Sequence, residues 1–164
     1  MEQLTEILRR LIEAKVEFSL IGGQASRHYG VTLVTEDVDI CARFTPENLR
    51  RIEGAVKDFH PRHRLTANKL PLELTDELCR SLKNIYLTTD LGVLDCLSQV
   101  AGIGDFDAVI HQSQLKEFPF GCCYVLKIDA LIQAKQAVGR PHDLISVAQL
   151  QAIKEKNEQQ NELY

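Results

Sequence analysis

The sequence predicts a single α/β domain of the α+β kind, a mixed sheet flanked by helices, and three observations predict it. Helical and strand-like apolar patterns alternate along the chain. A Gly-Gly turn, Gly22-Gly23, follows a short apolar strand and precedes a short helix. A second strand then carries Asp37 and Asp39, which project to one face while Val38 and Ile40 enter the core on the other. With 164 residues, 45% hydrophobic and 26% charged, the chain suffices for one sizeable core and is short for two.

In chain order, Leu4, Ile7, Leu8, Leu11 and Ile12 recur at helical spacing and predict a helix over about Gln3 to Ala14. Glu17 to Ile21 is a short apolar run consistent with a buried strand ending at the glycines. A helix over Gln24 to Tyr29 and a strand over Val38 to Ala42 follow. Thr45-Pro46-Glu47 supplies an N-cap, a proline at the first helical position and an acid in the first turn, so a helix starts there and ends by His60-Pro61. Ile85 to Thr88 and Val93 to Leu97 predict a hairpin closed by Asp90-Leu91-Gly92. Ala101 to Phe120 reads as loop with one short helix near Phe106 to Ile110. Tyr124 to Leu126 predicts another strand, Asp129 to Gly139 a helix, and Arg140-Pro141 opens the last helix. The domain so read spans residues 1–153, and the polar residues 154–164 are expected to fray.

Composition excludes several classes. The formal net charge of -4 gives no global pull toward nucleic acid. No basic start leads into an apolar run and no segment approaches the roughly 20 apolar residues of a membrane helix, so a soluble, cytoplasmic protein is expected. Cys41, Cys79, Cys96, Cys122 and Cys123 lie in apolar segments without a Cys-x-x-Cys pair and read as buried small hydrophobes. The five histidines make no metal-ligand spacing, and no Walker loop, nucleophile elbow or dinucleotide-binding turn is present.

What remains is the glycine turn and the carboxylates. Two carboxylates on one rigid face suit a hard divalent cation such as Mg2+ or Mn2+, which takes oxygen ligands from one or two carboxylates plus substrate phosphates. Gly22 and Gly23 let the main chain approach a phosphate, and the N–H groups opening the next helix at Gln24 favour an anion. Asp95, amid Val93, Leu94, Cys96 and Leu97, is costly to bury unless paired or metal-bound. The competing reading of all three aspartates is solvation at an open strand face. Lys57, His60, Arg62, His63 and Arg64 form a positive run that either guides a polyanion such as an RNA end or is a solvated turn.

These residues resemble the nucleotidyltransferase superfamily, which includes DNA polymerase beta, poly(A) polymerases and antibiotic nucleotidyltransferases, and they look closest to its small stand-alone bacterial members. The resemblance runs through Gly22-Gly23-Gln24-Ala25, Gly30, Thr35, Asp37, Asp39, Leu91 to Asp95, Lys135 and Gly139 to Asp143, about Phe18 to Leu150. Leu33 stands where those relatives often carry arginine, so a charged contact there would come from elsewhere. The resemblance implies transfer of a nucleoside monophosphate from a metal-bound NTP to a hydroxyl, with release of pyrophosphate. Asp37, Asp39 and Asp95 would hold the metal, Asp95 also serving as general base, while Gly22, Gly23, Gln24, Lys135 and Arg140 would meet the nucleotide. The acceptor is left open between a small molecule, a tRNA end and a partner protein. The rival reading is a catalytically weak or inactive nucleotide-binding module of the same fold, such as a toxin–antitoxin component.

Overall fold

A computed structural model describes residues 2–163. The first half runs α1 (Glu2–Glu13), β1 (Phe18–Ile21), α2 (Gly22–His28), β2 (Asp37–Ala42) and α3 (Pro46–Val56), then a 3-10 turn (Lys57–Phe59). Then come β3 (Arg62–His63), α4 (Asp76–Ser81), β4 (Asn84–Thr89) and β5 (Gly92–Leu97). A small ribbon of β6 (Gln99–Val100) and β7 (Gly104–Asp105) leads into α5 (Phe106–His111), β8 (Ser113–Phe118) and β9 (Gly121–Leu126). Two helices, α6 (Ile128–Val138) and α7 (Pro141–Asn161), complete the order.

Seven strands form one mixed sheet in the order β3-β4-β5-β2-β1-β9-β8. At its centre β2 runs antiparallel to β1 and parallel to β5, and β1 runs parallel to β9. Strand alternation divides this centre into two faces. Leu20, Val38, Ile40, Leu87 and Leu94 are all buried, and α1 crosses β2, β5 and β9 while packing on α3. Ile7, Leu11, Leu49 and Ile52 of those helices are fully buried, each such side chain stabilising by roughly 1.5–3 kcal/mol relative to exposure. Asp39 and Asp95 belong to the opposite face.

Local chemistry explains the ends. The Thr45 hydroxyl accepts from the Asn48 amide as the N-cap of α3. The buried Asn48 carboxamide accepts from the Glu17 amide at 2.8 Å and donates to the carbonyls of Glu17 and Arg43, tying α3 to the β1–β2 pair. The hairpin β4–β5 pairs antiparallel as expected.

Three expectations are corrected and one holds. The segment Ala101 to Phe120 holds the ribbon and the whole edge strand β8, not loop around one helix. The helical run from Pro46, continued past Val56 by the 3-10 turn to Phe59, stops at His60-Pro61 as expected, with His60 in a left-handed conformation. α7 continues through Asn161 rather than fraying beyond Lys154, whose ammonium pairs with Asp129 at 2.7 Å. Cys122 is exposed, because on β9 it points away from the face that buries Cys123 and Val125.

Candidate active site

The end of β1 builds the site. Ile21 is the extended residue before α2, and the chain turns into the helix at Gly22, whose φ is +64°. Ile21 lies opposite Asp39 in the β1–β2 register, so the turn faces the Asp39 side chain. A Cβ at Gly22 would lie 2.3 Å from Asp39 Oδ2, and one at Gly23 would lie 2.7 Å from Thr35 Oγ1. Only hydrogen fits between this backbone and those side chains. The Gly23 amide favours the charged form of the Asp39 carboxylate, so the turn serves a carboxylate as well as walling the cleft.

Three carboxylates gather beside it. Asp39 and Asp95 are register partners across the parallel β2–β5 pair and therefore share a face, with Asp37 two residues along the same strand. Burial pushes the Asp39 carboxyl up to about 6, helped by the charges of Asp95 and Asp37 and opposed by Lys135 and the Gly23 amide. Asp37 is raised for the same reasons, burial first and then Asp95, against the pull of Arg64. Asp95 is only 8% exposed. Arg64 grips it with a fork: Nε donates to Oδ1 at 3.1 Å and Nη2 donates to Oδ2. The positive run read as a solvated turn or polyanion guide thus sends one arginine into the carboxylate cluster. Its partner is 31 residues away in sequence, and the lone aspartate in an apolar strand was the signal that some such partner existed.

Asp37 and Asp39 line a cleft of about 470 Å³, walled by Gly22, Gly23 and Thr35 on one side and by Lys135, Arg140 and His142 on the other. Lys135 is buried on α6, 3.7 Å from Asp143. Arg140 precedes α7, and both its Nε, at 2.7 Å, and its backbone amide, at 3.3 Å, donate to the buried Asp143 carboxylate, which so caps the start of the helix. Burial would raise the Asp143 carboxyl, but the Arg140 hydrogen bond and the two cations outweigh it and hold it low. Gln24 lines a separate cavity with Leu4, Leu8, Leu20 and Val38, so what it can offer an anion is the backbone N–H at the start of α2, the group expected to do so, rather than its side chain. Leu33 packs against the core, and the arginine that reaches the acidic cluster is Arg64.

The donor set fits a hard divalent cation. Asp37 and Asp39 offer oxygen-only ligands to a cleft, and both are raised toward protonation by burial and then by like charges close by. Among the described residues, however, no three acidic, histidine or cysteine side chains converge at ligating distance. Both Asp95 oxygens are engaged by Arg64.

The raised Asp39 carboxyl has a consequence for stability. A native group that holds its proton more tightly than the unfolded chain destabilises the fold progressively as pH rises, here from about 4 to about 6, with the full penalty above that. Asp39→Asn keeps an acceptor for the Gly23 amide and removes the charge. In EDTA it should be more stable than the parent by roughly 1–3 kcal/mol at pH 7.5, with the difference gone at pH 4. Urea denaturation at the two pH values measures this, and a less stable variant at pH 7.5 would contradict it.

No protein-family model and no curated protein sequence matches the chain. Solved structures do. A solution structure of the antibiotic-resistance factor ANT(2'')-Ia aligns with a TM-score of 0.55 at 15% identity, over 99% of this chain and 92% of that one. A crystal structure of ANT(2'')-Ia in complex with adenylyl-2''-tobramycin gives 0.54 at 16%, over 98% and 99%. JHP933 from Helicobacter pylori gives 0.51 at 16%, over 89% of this chain and 62% of that one. The chain has the nucleotidyltransferase fold.

Proposed function

We propose that this protein transfers a nucleoside monophosphate from an NTP to a hydroxyl group in a reaction that depends on Mg2+ or Mn2+. One observation carries the reading: Asp37, Asp39 and Asp95 share one sheet face beside a glycine turn that admits no side chain, and the first two line a cleft that Lys135 and Arg140 also line. Asp37 and Asp39 would hold the cation, and Asp95 would take the proton of the acceptor hydroxyl. The cation, when bound, supplies charge neutralisation for the triphosphate. Gly22 and Gly23 let the triphosphate lie against the main chain, and Lys135 with Arg140 meets it from the helices while Asp143 holds both cations in place. The work of the protein is positioning and electrostatics.

The fold is shared with ANT(2'')-Ia, whose complex contains an adenylylated tobramycin, so aminoglycosides belong in the small-molecule arm of any acceptor search. Each labelled NTP is incubated with Mg2+ or Mn2+ and a lysate split into protein, RNA and small-molecule fractions. Label entering one fraction with stoichiometric pyrophosphate supports the reading and names the acceptor class. A second reading, a nucleotide-binding module that does not turn over, is favoured by the capture of Asp95 by Arg64. Binding without label transfer or pyrophosphate would select it.

Nucleotide binding itself should need metal, because a triphosphate facing three carboxylates meets like charge at close range. ATP or another NTP is expected to raise the melting temperature with Mg2+ or Mn2+ and not in EDTA. Equal stabilisation in EDTA would sink the metal assignment.

A further inference from the structure

Among the described residues Arg64 is the one cation seated on the third carboxylate, and the proposed reaction has no use for it there. It follows β3, its amide donates to the Tyr86 carbonyl at 3.0 Å, and its guanidinium lies 5.4 Å from the centre of the Tyr86 ring. Tyr86 is in turn the register partner of Asp95 on β4. Backbone, ring and carboxylate thus fix the side chain from three directions. The next residues close a turn of their own, with the His63 amide donating to the Leu70 carbonyl, the Thr66 hydroxyl to the His63 carbonyl and the Arg62 guanidinium to the Lys69 carbonyl. Arg64 can therefore leave Asp95 by turning its side chain while the turn beyond it stays closed.

The guanidinium also feels Asp37 and Asp39, so it adds positive charge to the trio beside the Lys135 ammonium that acts on Asp39. A cation bound at Asp95 would share that carboxylate with a second positive charge within hydrogen-bond distance. The two compete.

We propose that Arg64 is a positioning residue that occupies Asp95 in the resting protein and must release it before that carboxylate can serve a metal ion or an acceptor hydroxyl. The forked pair fixes the orientation of the buried aspartate, and it weakens metal binding at Asp95. This rests on the proposed metal-dependent reading of the site.

The test uses nucleotide-free protein and Mn2+ alone, with free Mn2+ followed by electron paramagnetic resonance. Arg64→Gln should tighten Mn2+ binding about tenfold or more, the low end of what a neighbouring charge does to the proton affinity of a carboxylate. In an Asp95→Asn background the same substitution should change little. Unchanged or weaker binding by Arg64→Gln overturns the proposal, and so does equal tightening in the Asp95→Asn background, which would reflect net charge alone. Binding by no variant and not by the parent overturns the metal reading of the site together with this one.

A second measurement needs no variant that could misfold. In the parent protein the Arg64 Nε–H resonance should be protected without metal and lost to solvent exchange as Mg2+ saturates the site. Protection that persists at saturation overturns the proposal.

Discussion

Gly22→Val should cost roughly 3–5 kcal/mol of stability and abolish metal-dependent NTP binding. The backbone at Gly22 is left-handed, which for a branched residue costs on the order of 1–3 kcal/mol. Space adds to that cost. The new Cβ would lie 2.3 Å from Asp39 Oδ2 and 2.9 Å from its Cβ and Cγ, so the aspartate must leave the turn and give up the Gly23 amide. The total is a large share of the 5–15 kcal/mol that holds a typical domain folded. Gly22→Ala should act in the same direction with a smaller loss, because the conformation and the contact remain. Removing Oδ2 in the Asp39→Ala background should return part of that loss, since contact and aspartate are then coupled. Urea denaturation of the four proteins closes the cycle. A Gly22→Val protein within 1 kcal/mol of the parent, a loss typical of an ordinary substitution, would show that the turn yields easily. Gly23 is constrained by a different wall, Thr35, so Gly23→Val should also destabilise rather than only block phosphate.

The elements that could be read from sequence are those whose cause is local. Thr45 caps α3 within three residues, the Asp90-Leu91-Gly92 turn closes β4 on β5, and the alternation at Asp37-Val38-Asp39-Ile40 assigns the two faces of β2 correctly. The misses have partners far along the chain or weak patterns. β8 exists because it pairs with β9, and Ser113 to Phe118 carries too few apolar residues to announce a strand. The end of α7 is polar enough to suggest fraying, yet its run of Glu, Lys and Gln is made of good helix formers, and Lys154 bridges to Asp129 of α6. α4 had a local signal, Thr75 ahead of Asp76 and Glu77, that matched the one recognised at Thr45. Gln24 shows why the expectation there concerns the backbone N–H and not the side chain. It follows the glycines in sequence, but on a helix each residue turns about 100°, which carries its side chain through to the α1 side of the sheet.

At the site, Asp37, Asp39, Gly22, Gly23, Lys135 and Arg140 come to one cleft, and Asp95 joins the acidic face behind them. Arg64 could not have been placed from sequence, because its position depends on β3 pairing with β4 and on Asp95 lying on the next strand over. The electrostatic argument about Asp95 did require some partner, and a guanidinium meets that requirement as well as a metal does. The identity of the partner was the part that only tertiary structure could supply.

Catalysis and binding should separate at Asp95. Asp95→Asn is expected to lower transfer about 10²–10⁴-fold, the range for removing a general base, while NTP with Mg2+ still raises the melting temperature. Asp37→Asn should lose both, since Asp37 lines the cleft where the triphosphate and its ion would sit. Asparagine at position 95 retains an oxygen for the Arg64 fork and the shape of the aspartate, so the buried strand should keep its packing. What it loses is charge and basicity. The cost falls on the step in which a proton leaves the acceptor hydroxyl, and single-turnover measurements should place the decrease in the chemical step rather than in nucleotide affinity. If Asp95→Asn transfers at the parental rate, the proton goes elsewhere, and Asp95 is then the anchor of Arg64 and nothing more. If it loses nucleotide binding as completely as Asp37→Asn, the three carboxylates act as one ligand set, and the division of labour between β2 and β5 is wrong.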